Sequence, residues 1–197
     1  MTSAGPEGQP HARRSKAELR RRLRAARAGR PPSPDATDRI TQRVLAVIGE
    51  AAVVAAYASV PGEPDTTALL EALWRGGTRV LLPVLRHQPD WAWYDGPGSL
   101  SPGPRGIPAP GGPSLGPAAL GEARVVLLPG LAGTPDGRRL GTGGGWYDRA
   151  LAWAAPDATL ALVLFDDEVR ADVPTDPWDR NVHLVVTERR LLDARAE

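Results

Sequence analysis

The chain of 197 residues contains no cysteine, three histidines and a single lysine. Without cysteine it can form neither disulfides nor thiolate metal sites. The histidines, His11, His87 and His183, are scattered and have no spacing that predicts a metal site. All other basic side chains are arginines, so Lys16 offers a compact ammonium group where every other cation is a planar guanidinium.

A strong net charge and long apolar runs are absent as well. The net charge is +1, which gives no reason to expect binding to nucleic acid or to an anionic membrane. No apolar stretch reaches the ~18 residues of a membrane span, and none follows the N-terminal charges as in a signal peptide. We therefore expect a cytoplasmic monomer that folds as one domain over residues 13–197, behind a disordered tail of residues 1–12.

Short apolar runs alternate with amphipathic segments along the chain. This alternation predicts an α/β fold, with a mostly parallel sheet between helices on both faces and ligands at the carboxyl ends of the strands. Residues 95–117 are rich in glycine and proline and are predicted to be a functional loop or lid. Helices are predicted over residues 15–28, from 34, from 64 and over 147–154, and strands over 52–60, 79–85, 91–94, 124–129, 159–165 and 182–187.

The most informative segment is a glycine-rich stretch that follows the apolar run at 125–128. Four of the five positions 141–145 are glycine, and two aromatic residues and a helical segment follow them. Glycines let backbone N–H groups approach phosphate oxygens, and a helix N-terminus favours their charge. Arg138 or Arg139 can add a guanidinium fork, and Asp148 lies near enough to hold a phosphate-bound Mg²⁺. Taken alone, such a loop is a weak indication of nucleotide binding.

The full string from Gly137 to Arg149 reads Gly-x-Arg-Leu-Gly-x-Gly-x-Gly-x-Tyr-Asp-Arg. It resembles the signature of the 5-formyltetrahydrofolate cyclo-ligase family, also called 5,10-methenyltetrahydrofolate synthetase. The similarity extends from about Lys16 to Glu188. It implies a three-layer α/β sandwich of the NagB/RpiA/CoA-transferase type. It also implies an enzyme that uses ATP and Mg²⁺ to convert 5-formyltetrahydrofolate to 5,10-methenyltetrahydrofolate.

The resemblance assigns the residues that bind the nucleotide and the metal. Lys16 and Arg20 match two cations that contact ATP phosphates, and Asp148 and Asp179 match the positions associated with Mg²⁺. Lys16, Arg139 and Asp148 are the implied catalytic residues. The implied nucleotide-binding loop consists of Arg139, Leu140, Gly141, Thr142, Gly143, Gly144, Gly145, Trp146 and Tyr147.

The resemblance also assigns the folate-binding residues. Glu63 matches a glutamate that contacts the folate, and Ala58 begins the same matched segment. Trp146 and Tyr147 are expected to stack on the folate or to form a wall beside it.

Several positions depart from the family pattern. They are Gly133, Thr134, Thr142, Trp146 and Trp178. They leave two alternatives open, of which the first is a cyclodehydratase of the same fold that acts on another formyl or amide substrate. The second is a non-catalytic folate- or nucleotide-binding module, and the intact cations and carboxylates argue against it.

Overall fold

The computed structural model describes residues 8–196, without the side chains of residues 8–14 and 105. The helices are α1 (Gly8–Ala28), α2 (Pro34–Ile48), α3 (Thr67–Arg75) and α4 (Trp146–Ala150). The strands are β1 (Val53–Ala55), β2 (Arg79–Pro83), β3 (Trp91–Trp93), β4 (Leu100–Pro102), β5 (Pro108–Pro110), β6 (Val125–Pro129), β7 (Ala132–Gly133), β8 (Arg139–Leu140), β9 (Thr159–Val163), β10 (Leu184–Val186) and β11 (Leu191–Asp193).

A seven-stranded sheet in the order β11-β10-β9-β6-β1-β2-β3 forms the middle layer of the described residues. The pairs β1–β2, β1–β6, β6–β9 and β9–β10 are parallel, and β3 and β11 close the two edges as antiparallel strands. The strand order reverses between β1 and β6, because the chain continues to β2 on one side and to β9 and β10 on the other. A crevice beside such a reversal, at the carboxyl ends of the strands, is where open α/β sheets bind ligands.

The two faces of the sheet carry different layers. Along β1, Val54 packs with α2 and α3, whereas Ala55 packs on the opposite face with α4 and the segment after it. Successive strand residues point to opposite faces, so two apolar clusters form from one sheet. The prediction of a mostly parallel sheet with helices on both faces is therefore confirmed.

The first helix differs from its prediction. Helix α1 begins at Gly8, seven residues before the predicted start at residue 15. Residues 8–12 of the predicted tail are helical, and residues 1–7 lie outside the described part of the chain. The apolar stripe of α1 is short: Leu23 is buried with Leu19 beside it, and both pack against the β7–β8 hairpin. A helix with so narrow an apolar face needs other contacts to hold it in place.

The predicted strand over residues 52–60 ends early, at Ala55. Residues 57–60 leave the sheet, and Thr66 holds them in a loop. Its hydroxyl donates to the carbonyl oxygen of Tyr57 at 2.8 Å and accepts from the amide of Ser59 at 3.0 Å. The chain after β1 is thereby directed over the carboxyl edge of the sheet.

Residues 95–117 contain regular structure that their composition did not predict. Strands β4 and β5 pair there as a small antiparallel hairpin. Pro104 and Ile107, between those strands, face the main cavity of the protein. The β7–β8 hairpin and β11 were also not predicted, because strands of two or three residues show no measurable periodicity.

Candidate active site

A cavity of about 550 Å³ lies at the carboxyl edge of the sheet, beside the reversal between β1 and β6. Its volume falls within the ~300–1,000 Å³ typical of small-molecule sites. The sequence-predicted site residues all line it, and they come from α1, the loop after β1, the glycine-rich loop, α4 and the segment before β10. They are Lys16, Arg20, Ala58, Glu63, Arg139, Leu140, Gly141, Thr142, Gly143, Gly144, Gly145, Trp146, Tyr147, Asp148 and Asp179.

Helix α1 presents cations to this cavity at a spacing that places them on one face. Lys16 is only 4% exposed, and its Nζ donates to Oδ2 of both Asp176 and Asp179 at 2.6 Å. Arg20 donates from Nε to the carbonyl oxygen of Gly141 at 2.9 Å, and Arg24 donates to that of Thr142 at 2.6 Å. The helix is thus attached to the glycine-rich loop and to the 176–179 segment through charged side chains.

The two arginines of the 137–149 signature have separate surroundings. Arg138 points to the surface and pairs with Asp136 and Asp172. Arg139 is buried, lines the cavity and pairs with Asp148, while its Nε has no partner among the described residues. Of the two candidate guanidinium groups, that of Arg139 is therefore the one placed to meet an anion in the cavity.

The glycine-rich loop approaches α1 closely. Gly143 has φ +106°, a conformation that disfavours any residue with a side chain, and a Cβ there would lie 3.4 Å from Cζ of Arg20. Helix α4, which follows the loop, has only five residues. The expected contribution of a helix dipole is therefore small, since so short a helix has little dipole to offer. Any phosphate binding here depends on loop amides and on the surrounding cations.

Glu63 lies at the other end of the cavity, in the loop after β1. Its Oε2 accepts from the amide of Val60 at 3.2 Å, and its Oε1 faces Nη1 of Arg27 at 3.9 Å. Burial raises the pKa of Glu63 above its ordinary value, although the Val60 amide and the Arg27 charge act in the opposite direction. The carboxylate is thus desolvated and held from two sides, which suits it to bind N–H groups of a ligand.

Three aromatic side chains in the cavity wall carry buried polar atoms without hydrogen-bond partners among the described residues. They are the hydroxyls of Tyr57 and Tyr147 and the indole nitrogen of Trp146. Burial, followed by the charge of Glu63, raises the pKa of both tyrosines, so their hydroxyls stay protonated at neutral pH. Trp146 packs edge-on against Trp91 and Tyr147. Unpaired buried donors around a cavity indicate a ligand that supplies the acceptors.

The two predicted metal-binding carboxylates are both engaged with cations. Asp148 pairs with Arg139, and Asp179 pairs with Lys16 and accepts from the backbone amide of Asp176. No group of three or more acidic, histidine or cysteine side chains within the described residues could hold a metal ion by itself. The donor set still fits Mg²⁺, which usually binds through one or two carboxylates together with substrate phosphates and water.

The departures from the family pattern separate into two groups. Thr142, Trp146 and Trp178 line the cavity. Gly133 and Thr134 belong to the β7–β8 hairpin and are absent from the described lining. At Gly133 a Cβ would lie 2.6 Å from Cδ2 of Leu162, so a side chain there would require the end of Leu162 to shift. Among the described residues, these two departures therefore lie outside the cavity wall.

Several cavity residues were missed by sequence reasoning. Tyr57 was assigned to a strand, and Asp176 was overlooked although it lies three residues before Asp179. A second acidic residue within one turn of a candidate ligand was the signal available for it. Arg27, behind Glu63, has no signal of its own, because it belongs to an arginine-rich helix whose other members are mostly exposed.

Membrane insertion has no support in the described helices. Among them, none combines the length and the apolar character that crossing a bilayer would need.

Comparison with known proteins agrees with the geometry. The family model described as the 5-formyltetrahydrofolate cyclo-ligase family matches residues 12–188. A 5-formyltetrahydrofolate cyclo-ligase of Mycolicibacterium smegmatis is 40% identical over 144 residues, which are 70% of this chain and 74% of the relative. One from Escherichia coli is 33% identical over 143 residues, or 70% of this chain and 79% of the relative.

A solved structure supports the same assignment. The 5,10-methenyltetrahydrofolate synthetase of Aquifex aeolicus superimposes with a TM-score of 0.79 at 25% identity, covering 92% of this chain and 94% of that one. Family model, relatives and fold agree, and the chain belongs to the 5-formyltetrahydrofolate cyclo-ligase family.

Proposed function

We propose that this protein is an ATP-dependent ligase that converts 5-formyltetrahydrofolate to 5,10-methenyltetrahydrofolate, with ADP and phosphate as the other products. One observation carries the proposal: a single cavity combines a cationic glycine-rich end with an aromatic end that contains a carboxylate. Tyr147 lies between the two ends, close enough to both Glu63 and Arg139 for each charge to influence its pKa. Two substrates, one rich in phosphate and one aromatic, can therefore meet in this cavity.

At the cationic end, Lys16, Arg20 and Arg139 neutralise the phosphates of ATP. Each of these cations now contacts oxygen atoms of the protein itself, and phosphate oxygens are chemically equivalent acceptors. The amides of residues 141–145 approach the phosphates, because four of these five residues lack a side chain. The site can therefore exchange internal ion pairs for contacts with the nucleotide.

Asp148 and Asp179 hold Mg²⁺ in this proposal. When bound, the ion would neutralise charge on the transferring phosphoryl group. In the structure, Asp148 pairs with Arg139 and Asp179 pairs with Lys16. When the aspartates bind Mg²⁺ instead, Arg139 and Lys16 become available to contact the phosphates.

At the aromatic end, Glu63 accepts hydrogen bonds from N–H groups of the pterin. Trp146 and Tyr147 stack on the folate or form the wall beside it, and Ala58 contributes to the same side of the cavity. The unpaired hydroxyls of Tyr57 and Tyr147 can donate to heteroatoms of the ligand. The formyl group is thereby directed toward the phosphate-binding end.

The chemistry is activation followed by ring closure. The formyl oxygen attacks the γ-phosphorus of ATP, the bond to the bridging oxygen breaks, and ADP leaves. N10 then attacks the formyl carbon and loses its proton. The carbon–oxygen bond breaks and phosphate departs with both electrons of that bond, which leaves the methenyl bridge between N5 and N10. Positioning of the substrates and charge neutralisation are the protein's main contributions.

The test is a direct assay of the methenyl product by its absorbance, with and without ATP and Mg²⁺. We expect product only when both are present. Asp148→Asn should lower kcat about 100-fold or more, since it removes a charge from the metal-binding end. Asp136→Asn is the matched control, because Asp136 is exposed and pairs with Arg138 at the surface, away from the cavity lining. Equal rates for the wild type and Asp148→Asn at limiting Mg²⁺ would contradict the metal role.

The same assay separates the alternatives. Thr142, Trp146 and Trp178 depart from the family pattern inside the cavity, which favours a changed substrate as the second candidate. ATP hydrolysis stimulated by another formyl or amide compound, without methenyl product from 5-formyltetrahydrofolate, would support that candidate. Binding of both ligands without turnover would support a non-catalytic module. We also propose a cytoplasmic monomer with one domain over residues 13–197, which size-exclusion chromatography with light scattering tests for its oligomeric state.

A further inference from the structure

Arg27 is a buried arginine near the C-terminal end of α1, and only 7% of it is exposed. It meets Glu168 side by side, with Nε 2.7 Å from Oε1 and Nη2 2.8 Å from Oε2. Nη2 also donates to the carbonyl oxygen of Gly130. Glu168 in turn accepts from the amide of Phe165 at 3.1 Å, so it is fixed from the opposite side. Such a two-point pair gives the guanidinium a single direction.

The remaining nitrogen of that guanidinium points toward the cavity. Nη1 of Arg27 lies 3.9 Å from Oε1 of Glu63, a carboxylate whose side chain is 13% exposed. The loop that carries Glu63 is close to the helix because of Gly62, which has φ +88°. A Cβ at Gly62 would lie 3.3 Å from Cβ of Arg27. The loop conformation and the helix position therefore determine this distance together.

We propose that Arg27 is a positioning residue for folate binding: held by Glu168, it keeps Glu63 ionised and directed toward the ligand. This inference rests on the proposed function, in which Glu63 accepts hydrogen bonds from N–H groups of the pterin. A protonated glutamic acid would lose part of that accepting capacity, because one of its oxygens carries a proton. Arg27 itself does not line the cavity among the described residues and acts through Glu63.

The electrostatic surroundings explain why Glu63 needs a cation. Burial raises its pKa, and the carboxylate of Glu168 raises it further. The Val60 amide and Arg27 lower it, while the hydroxyls of Tyr57 and Tyr147 face the same region from the ends of β1 and α4. Among these groups Arg27 supplies the positive charge. Without it, the pKa of Glu63 would rise further toward neutrality.

A purely structural role for Arg27 is the competing explanation, because the Arg27–Glu168 pair also attaches α1 to the rest of the protein. The two explanations predict different consequences when the pair is lost. A structural role predicts lower stability and an equal loss for both substrates. A positioning role predicts a loss specific to the folate, with a pH dependence that reports the ionisation of Glu63.

The experiment uses Arg27→Met, Arg27→Lys and, as a matched control, Arg30→Met in the full chain. Arg30 also contacts Glu168, at 3.4 Å, but pairs mainly with the exposed Asp167 at 2.8 Å. Binding of 5-formyltetrahydrofolate without ATP is measured by isothermal titration calorimetry across pH 5–9. Values of kcat/KM for each substrate are measured beside it.

For Arg27→Met we expect about tenfold weaker folate binding at neutral pH and an unchanged KM for ATP. The acid limb of the binding profile is the loss of affinity as the pH falls and Glu63 becomes protonated. In this variant it should lie about one pH unit higher than in the wild type. Arg27→Lys should recover part of the affinity and most of the limb, since it restores the charge. Glu63→Gln should remove the limb altogether, and Arg30→Met should leave it in place.

Arg27→Met could fail to fold, because it leaves Glu168 as a buried unpaired carboxylate. The double variant Arg27→Met with Glu168→Gln removes both charges and retains an acceptor for Phe165. It should fold and bind folate weakly. The acid limb of its binding profile should still lie at a higher pH than in the wild type, since Arg27 influences the pKa of Glu63 more than Glu168 does. Wild-type affinity and an unmoved limb in this double variant would overturn the inference. If the wild type neither binds the folate nor forms product, the proposed function itself fails.

Discussion

Helices α1 and α2 follow one another in the chain, yet different forces hold them to the rest of the protein. Helix α2 begins at a serine cap, with the Ser33 hydroxyl accepting from the Ala36 amide, and buries a regular apolar stripe on the sheet. That stripe consists of Ala36, Ile40, Val44 and Ile48. Helix α1 buries Leu23 and, in part, Leu19, and is otherwise attached by cations. Those cations are Lys16, Arg20, Arg24 and Arg27 on the helix and Arg30 just after it.

This difference shows which of the contacts that hold a helix in place can be replaced by contacts with a ligand. Packing of α2 depends on apolar area removed from water, and no polar ligand substitutes for it. Lys16, Arg20 and Arg24 of α1 contact carboxylates and carbonyl oxygens at the cavity, and phosphate oxygens can take the place of these acceptors. Helix α1 therefore serves stability and binding with the same side chains, whereas α2 serves stability alone.

The largest expected effect is on α2. Ile40→Ala removes a side chain that is 2% exposed and leaves a cavity beneath the helix. We expect a loss of about 3 kcal/mol in the free energy of unfolding, measured by urea denaturation, with both KM values within twofold of wild type. A large rise in either KM at nearly unchanged stability would break the distinction between the two helices.

The next effect concerns Lys16 of α1. Lys16→Ala should reduce kcat/KM for ATP about 30-fold, which corresponds to ~2 kcal/mol for a charge-assisted contact. Lys16→Arg should also weaken ATP use, because a planar fork does not reproduce the compact ammonium that reaches Asp176 and Asp179 together. The free energy of unfolding should fall less than in Ile40→Ala, since both aspartates are partly solvated.

The control for Lys16 is Arg21→Ala on the same helix. Arg21 is exposed and makes only an exposed pair with Glu18, so its loss should change neither stability nor KM. A kinetically silent Lys16→Arg would mean that the single lysine is an accident of composition, and its special role should then be abandoned.

The sequence predicts α2 and the inner strands better than it predicts the surroundings of α1. Residues 124–129 were expected as a strand and β6 is Val125–Pro129, because a run of buried apolar residues is a local property. Most of the predicted cavity residues belong to the 137–149 signature, whose members are close in the chain, and the others, such as Lys16 and Glu63, came from the wider resemblance to the family. By contrast, the contacts of Lys16 with Asp176 and of Arg27 with Glu168 join residues more than 140 positions apart.

No local pattern distinguishes Arg27 from its neighbours, since burial of a cation is decided by the elements that surround it. Its helix carries many arginines, and among those whose side chains the structure describes most are exposed. The same limit applies to Gly133, where the fit of a side chain depends on Leu162 of β9, a contact that no local pattern around Gly133 indicates.

The smallest expected effect is a response to salt, and it sharpens the comparison without any mutation. Raising NaCl from about 0.05 to 0.5 M shortens the Debye length from roughly 14 to 4 Å. The exposed contact of α1, Arg24 with Thr142, and the contact of Arg30 with Asp167 just after the helix should weaken by less than about 1 kcal/mol each. Hydrogen–deuterium exchange should then quicken in α1 while the amides of α2 stay unchanged. ATP with Mg²⁺ should restore protection of α1 at high salt, because phosphate oxygens supply new acceptors for Lys16 and Arg20. Exchange in α1 that stays as slow at high salt as in α2 would mean that α1 is held mainly by its apolar contacts.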